Sequence, residues 1–68
     1  MSANIYIEYE DGYDNNGITT TLKHVGRVTH NCASRAIQNA EEWYAEELNE
    51  YHEQGHYAEI VLVDNDES

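Results

Sequence analysis

Alternation governs the first half of the chain, and a helical period governs the second. From Ala3 to Tyr9, Ile5, Ile7 and Tyr9 fall on one side of an extended backbone, with Tyr6, Glu8 and Glu10 on the other. That is the pattern of a half-buried strand. Asn16-Gly17 predicts a hairpin turn, because a type I′ turn needs positive φ at both central residues. Such a turn places Ile5 opposite Val28, Ile7 opposite Gly26, Tyr9 opposite His24 and Asp11 opposite Leu22. The other face then pairs Tyr6 with Arg27, Glu8 with Val25 and Glu10 with Lys23. Apolar groups sort mostly to one face and an opposite-charge pair appears on the other, as cross-strand pairing favours. Gly12 and Gly26 mark bulge or bend sites in these long strands.

From Cys32 to Gln54 the period is about 100° per residue, which aligns Ala33, Ile37, Ala40, Tyr44, Leu48 and Tyr51 on one helix face. Asn39, Glu42, Glu46, Glu50 and Glu53 occupy the opposite face. Thr29 or Asn31 is expected to cap the N-terminus, and Gly55 to stand at C′. A last strand runs from Tyr57 to Val63, with Ala58, Ile60 and Leu62 turned to the helix and Glu59 away. The expectation is a single α+β domain over residues 1–68, with strands at about 3–11, 18–29 and 57–63, a helix at about 32–54 and a frayed tail at 64–68. Its order is β-β-α-β. The helix returns the chain, so the third strand lies beside the first in a three-stranded antiparallel sheet of order 2-1-3, with one helix packed on one face. The uncovered face would present Tyr6, Val25, Val61, Val63 and Tyr57 beside Glu8 and Lys23, either as a docking or dimer surface or as a solvated face with scattered apolar groups.

Composition adds constraints to this layout. Fourteen acidic residues stand against three basic ones, a formal net charge of −11 in 68 residues. A chain this short buries only about 60% of its unfolded surface, so self-repulsion weighs on a thin margin of stability. The acids are patterned, because Asn15 to Ala40 contains none and holds all three cations, Lys23, Arg27 and Arg35. Polyanions such as nucleic acid or an anionic bilayer are excluded as direct ligands, and no apolar run reaches the roughly 20 residues of a membrane span. A lone cysteine, Cys32, leaves no intrachain disulfide. With no secretory segment ahead of the strands, a cytoplasmic setting is expected.

Glu42, Glu46, Glu50 and Glu53 follow at steps of four, four and three. On one helix this keeps the carboxylates in a row with about 5–6 Å between neighbours. Like charges so spaced destabilise a helix by a few tenths of a kcal/mol each, and no cation on that face relieves them. A solvated helix face explains any single glutamate, whereas the set reads as a phosphate-like row offered to a cationic groove. Trp43 and Glu47 flank the row. Glu10, Asp11, Tyr13 and Asp14 form a second acidic and aromatic patch near the hairpin. Trp43 either seals the rim of the core or supplies a desolvated anchor for a partner.

No metal site or cofactor is expected. His52 and His56 are four apart but separated by Gly55, and a single cysteine does not make a zinc set. Neither is a catalytic arrangement expected, since the paired carboxylates lie on surfaces without a pocket.

In size, charge, hairpin-plus-helix layout and the Glu42-to-Glu53 row, the chain resembles small acidic phage proteins that mimic DNA, the anti-CRISPR and anti-restriction inhibitors. The resemblance carries no sequence motif. It implies a phage-encoded, non-enzymatic anti-CRISPR protein, monomeric or homodimeric, acting in a bacterial host's cytoplasm. Its partner would be a cationic nucleic-acid-handling protein, such as a CRISPR effector subunit whose target-DNA recognition it blocks, with a type I (Cascade) target favoured. Two alternatives stay open: a small homodimeric interaction module using the open sheet face, with charge serving only solubility, or an acidic protein adapted to high salt.

Overall fold

The alternation read from Ala3 to Tyr9 becomes the central strand of the protein. A computed structural model describes residues 2–64. In chain order it contains β1 (Ser2–Asp14), β2 (Gly17–Thr29), α1 (Ala33–Trp43), α2 (Ala45–Glu53) and β3 (Ala58–Asp64). The sheet is antiparallel with order β2-β1-β3, so the fold is α+β with an open sheet. Asp64 ends β3, and the rest of the expected tail lies outside the described residues.

Only β1 has a neighbour on both sides, and its helix-facing side chains make the core. Ala3, Ile5 and Ile7 are buried, and Ile5 and Ile7 are the largest side chains with full burial. Leu62 lies opposite Ile5 and Ile60 opposite Ile7 on β3. Ala40 and Leu48 close the cluster from the helices, with Tyr9, Val25, Val28, Ile37, Tyr44 and Tyr51 around its edge. Alanines at 3, 36, 40 and 58 supply half of the buried apolar positions, so the layers meet closely over a shallow core. Full burial of each isoleucine contributes about 1.5–3 kcal/mol.

The helix face is rotated from its expected position, with Ala36 buried and Ala33 exposed. The expected single helix is two. Tyr44, at φ −112° and ψ 24°, interrupts it for one residue, while Tyr44 N–H still donates to Ala40 O and Leu48 N–H to Tyr44 O. The break falls at the residue whose hydroxyl donates to the Val25 carbonyl of β2 at 3.1 Å. Cys32, not Thr29 or Asn31, is the N-cap, and it makes no side-chain capping bond. Gly55 ends α2 as its composition predicts, at φ +80°. Gly55 N–H donates to His52 O and His56 N–H to Tyr51 O, the paired bonds of a Schellman motif.

The hairpin register departs from expectation for a local reason. Asn15-Asn16 is the loop, and Asp14 pairs with Gly17. Among the described residues no non-glycine residue has positive φ, so the type I′ turn at Asn16-Gly17 does not form. Asn16 N–H donates to Asp14 Oδ1 at 2.8 Å, and Gly17, just after the loop, takes a positive φ of 119°. This moves the pairing by two residues, which leaves faces unchanged.

The irregularities between Glu10 and Gly12 and between Ile5 and Tyr6 then each shift it by one, which reverses them. Both sit beside the glycines expected to mark bulges. Between them Tyr6 opposes His24 and Glu8 opposes Leu22. His24 and Leu22 therefore lie on the open face, while Lys23 and Val25 turn to the helix side, opposite to expectation. The expected Glu10–Lys23 pair is absent, and Glu10 opposes Thr20.

Gly26 lets the Tyr44 anchor approach, since a Cβ there would stand 2.3 Å from Tyr44 Oη. Gly26→Ala is expected to cost about 1–3 kcal/mol, by overpacking and loss of the Val25 hydrogen bond. The same substitution in a Tyr44→Phe background should cost clearly less. Urea unfolding of the four proteins in this double-mutant cycle measures the difference, and equal costs in both backgrounds would show that the contact is not the cause.

Candidate functional site

The outer surface of the helical layer carries the acidic row. Glu42 lies on α1, and Glu46, Glu50 and Glu53 lie on α2, so the break at Tyr44 divides the row expected on one helix. All four side chains are exposed, and among the described residues none has an ion pair or hydrogen bond. Trp43, the last residue of α1, is 57% exposed beside them. Its rim-sealing role is therefore small.

The other acids singled out in the sequence have internal partners. Glu47 is half-buried and accepts from Lys23 Nζ at 2.6 Å, a bridge from α2 to β2. The bridge holds the Lys23 ammonium above its ordinary pKa, chiefly through the hydrogen bond to Glu47. Glu10 is only 13% exposed. One of its oxygens accepts from Tyr57 N–H at 2.8 Å, and the other lies 3.6 Å from His56 Nδ1. Asp11 sits at the first bulge and accepts from the hydroxyls of Thr19, at 2.6 Å, and Thr21. Those two bonds, Thr19 first, lower its pKa. Asp14 holds the hairpin turn, and Tyr13 beside it is 77% exposed. Glu10, Asp11, Asp14 and Glu47 thus join parts of the fold, which spacing along the chain could not reveal.

A second surface lies on the open side of the sheet. Among the described residues, Tyr13, Ile18, Leu22, Tyr57 and Val63 are five of the six large hydrophobic side chains that stand exposed, and strand alternation assigns all five to that side. Tyr6 and Val61, directly opposite each other and half-buried, lie among them. Ile18 and Leu22 escaped the sequence reading because the extra residue at Val25 reverses the faces of β2 on the hairpin side of it. Glu8 opposes Glu59 in this face. Thr20 Oγ1 donates to Glu8 at 2.8 Å. Hydrogen bonding to Glu59, desolvation and the charges of Glu59 and Glu8 push the Tyr57 phenol up to about 12.

The histidines serve separate contacts. His52 Nε2 donates to Ala58 O at 3.1 Å, whereas His56 faces Glu10. His24 Nε2 donates to Asn4 Oδ1 and its ring meets Tyr6 edge-on. His30 Nε2 lies 3.7 Å from Asp64. Among the described residues no group of three or more His, Cys, Asp or Glu side chains is placed to hold a metal ion.

Cys32, the N-cap of α1, has an exposed side chain. It lies beside a groove lined by Val28, His30, Arg35 and Asn39. The Ser34 hydroxyl, 3.4 Å from its Sγ, is the main cause that lowers its thiol pKa, and the Arg35 charge adds to it. No helix among the described residues is long and apolar enough to cross a membrane. Compared with known families, characterised proteins and solved structures, the chain shows no match.

Two pH effects follow from these contacts. Because its thiolate is favoured, Cys32 should react with iodoacetamide at lower pH than an unperturbed thiol, and Ser34→Ala should move that profile upward. An unchanged profile would remove Ser34 as the cause. Asp11 should titrate below the ordinary value of 3.8. Its contribution to stability is complete above the unfolded pKa and is lost as pH falls through the folded one. Thr19→Val should raise the Asp11 midpoint in an NMR titration.

Proposed function

We propose that this protein is an acidic inhibitor that acts by binding, occupying a cationic groove in which a nucleic-acid-handling protein holds its nucleic acid. The observation that carries this reading is the exposed row Glu42, Glu46, Glu50 and Glu53, which has no cation to relieve it. Of the three cations, Lys23 is committed to Glu47, while Arg27 lies on β2 and Arg35 near the start of α1. In a chain of net charge −11, such a row attracts a basic groove at long range and with steep salt dependence. Trp43, exposed beside the carboxylates, supplies an aromatic contact that loses water on docking and adds specificity.

The resemblance to phage DNA mimics makes the target a CRISPR effector whose DNA recognition is blocked, with a type I effector favoured. The inhibitor performs no covalent chemistry in this mechanism. Competition with DNA for one site is sufficient.

A second reading is favoured by a different observation, the five exposed apolar side chains of the open sheet face. In that reading the protein is a small interaction module that docks through its sheet, and the acids keep it soluble.

Combining Glu46→Lys, Glu50→Lys and Glu53→Lys separates the two. Inhibition by mimicry predicts at least a tenfold loss in protection of target DNA by the inhibitor, assayed across CRISPR effectors and restriction enzymes, with circular dichroism unchanged. Near-molar salt, where the screening length is about 3 Å, should weaken wild-type binding similarly. Inhibition that survives the triple reversal would sink the mimicry reading, and loss through Val61→Lys instead would favour the sheet-face module.

A further inference from the structure

We propose that two copies of this chain associate through the outer edge of β2, joining their sheets into one of six strands. Strand β2 runs for 13 residues, and none of them is buried. Among the described residues it has β1 on one side and no strand on the other, so alternate backbone N–H and C=O groups along its outer edge lack a strand partner there. Native edges are usually blunted by charge, proline or a bulge. Here the segment Ile18–Leu22 is uncharged and β-branched at four of its five positions. Lys23, the charge next in line, is drawn onto Glu47. The bulge at Val25 limits the outer ladder to the part of β2 before it.

Charge restricts a second copy to this edge. Two molecules of net charge −11 repel wherever their acids meet, and β2 carries no acid at all. Stacking two open faces would bring two Glu8–Glu59 pairs into one desolvated layer, which is costly without cations. Edge pairing avoids this. A two-fold axis perpendicular to the joined sheet keeps both helical layers on one side, so the acidic rows of the two copies lie on the same surface.

The proposal does not depend on the inhibitor reading, and its salt response has the opposite sign. Sedimentation of the full chain from micromolar to millimolar concentration should show a weak monomer–dimer equilibrium. Near-molar salt should strengthen it at least tenfold, because like charges are screened. Hydrogen exchange should show alternate amides of Gly17–His24 gaining protection as the dimer forms. Leu22→Lys should weaken association at least tenfold, whereas Val63→Lys, on the open face but far from this edge, should leave it unchanged. A monomer at every concentration and salt would overturn the proposal. So would a dimer that leaves the β2 amides unprotected and is lost in Val63→Lys.

Discussion

Burial of Ile5 and Ile7 in the central strand is the constraint on which the structure depends. They are the largest fully buried side chains, and β1 is the strand that both neighbours pair with. A core this shallow is closed by alanines and Leu48 from the helices and Ile60 from β3. It leaves no interior room for charge, and no polar or charged residue is buried among those described. Acids therefore stand at the surface, where each either finds a donor or faces solvent. Self-repulsion is met by donors placed in the fold: threonine hydroxyls on Asp11 and Glu8, backbone N–H groups on Asp14 and Glu10, and Lys23 on Glu47.

One contact ties the break in the helical layer to the sheet. Tyr44 reaches from the break between α1 and α2 to the carbonyl of Val25, over a position where only glycine leaves space. Val25 is also the residue that the adjoining bulge adds to β2. Helix break, bulge and glycine thus meet in one place. From there the bulge sets which β2 side chains face the helices, putting Lys23 within reach of Glu47 and Leu22 on the open face. The functional consequence is a separation of surfaces. Carboxylates without partners line the outer helices, apolar groups line the open sheet, and an acid-free strand forms one edge.

This separation gives physical content to a net charge of −11. Not every acid in such a chain is available to a partner. Glu10 and Asp11 looked equivalent to Glu46 and Glu50 when only composition was considered, yet they hold strands, loop and hairpin together. The carboxylates left over are concentrated on one side, the outer surface of the helical layer.

Local chemistry in the sequence was enough to establish the strand order, the two buried isoleucines, the Gly55 helix end and the sites of both bulges. Alternation, turn residues and helical period are properties of neighbouring residues, and each could be read within a few positions. The acidic row was readable for the same reason, as a spacing of four, four and three. The hairpin turn, the faces of β2, the division of the helix and the partners of Glu10, Asp11 and Glu47 were decided by tertiary structure. The turn shifted because Asp14 captures Asn16 N–H, an arrangement that competes with the expected glycine turn. The rest follows from contacts between residues far apart in the chain, Tyr44 with Val25, Lys23 with Glu47 and Glu10 with Tyr57. Periodicity cannot encode such contacts, because a one-residue bulge reverses every face beyond it and only packing decides how far the reversal extends.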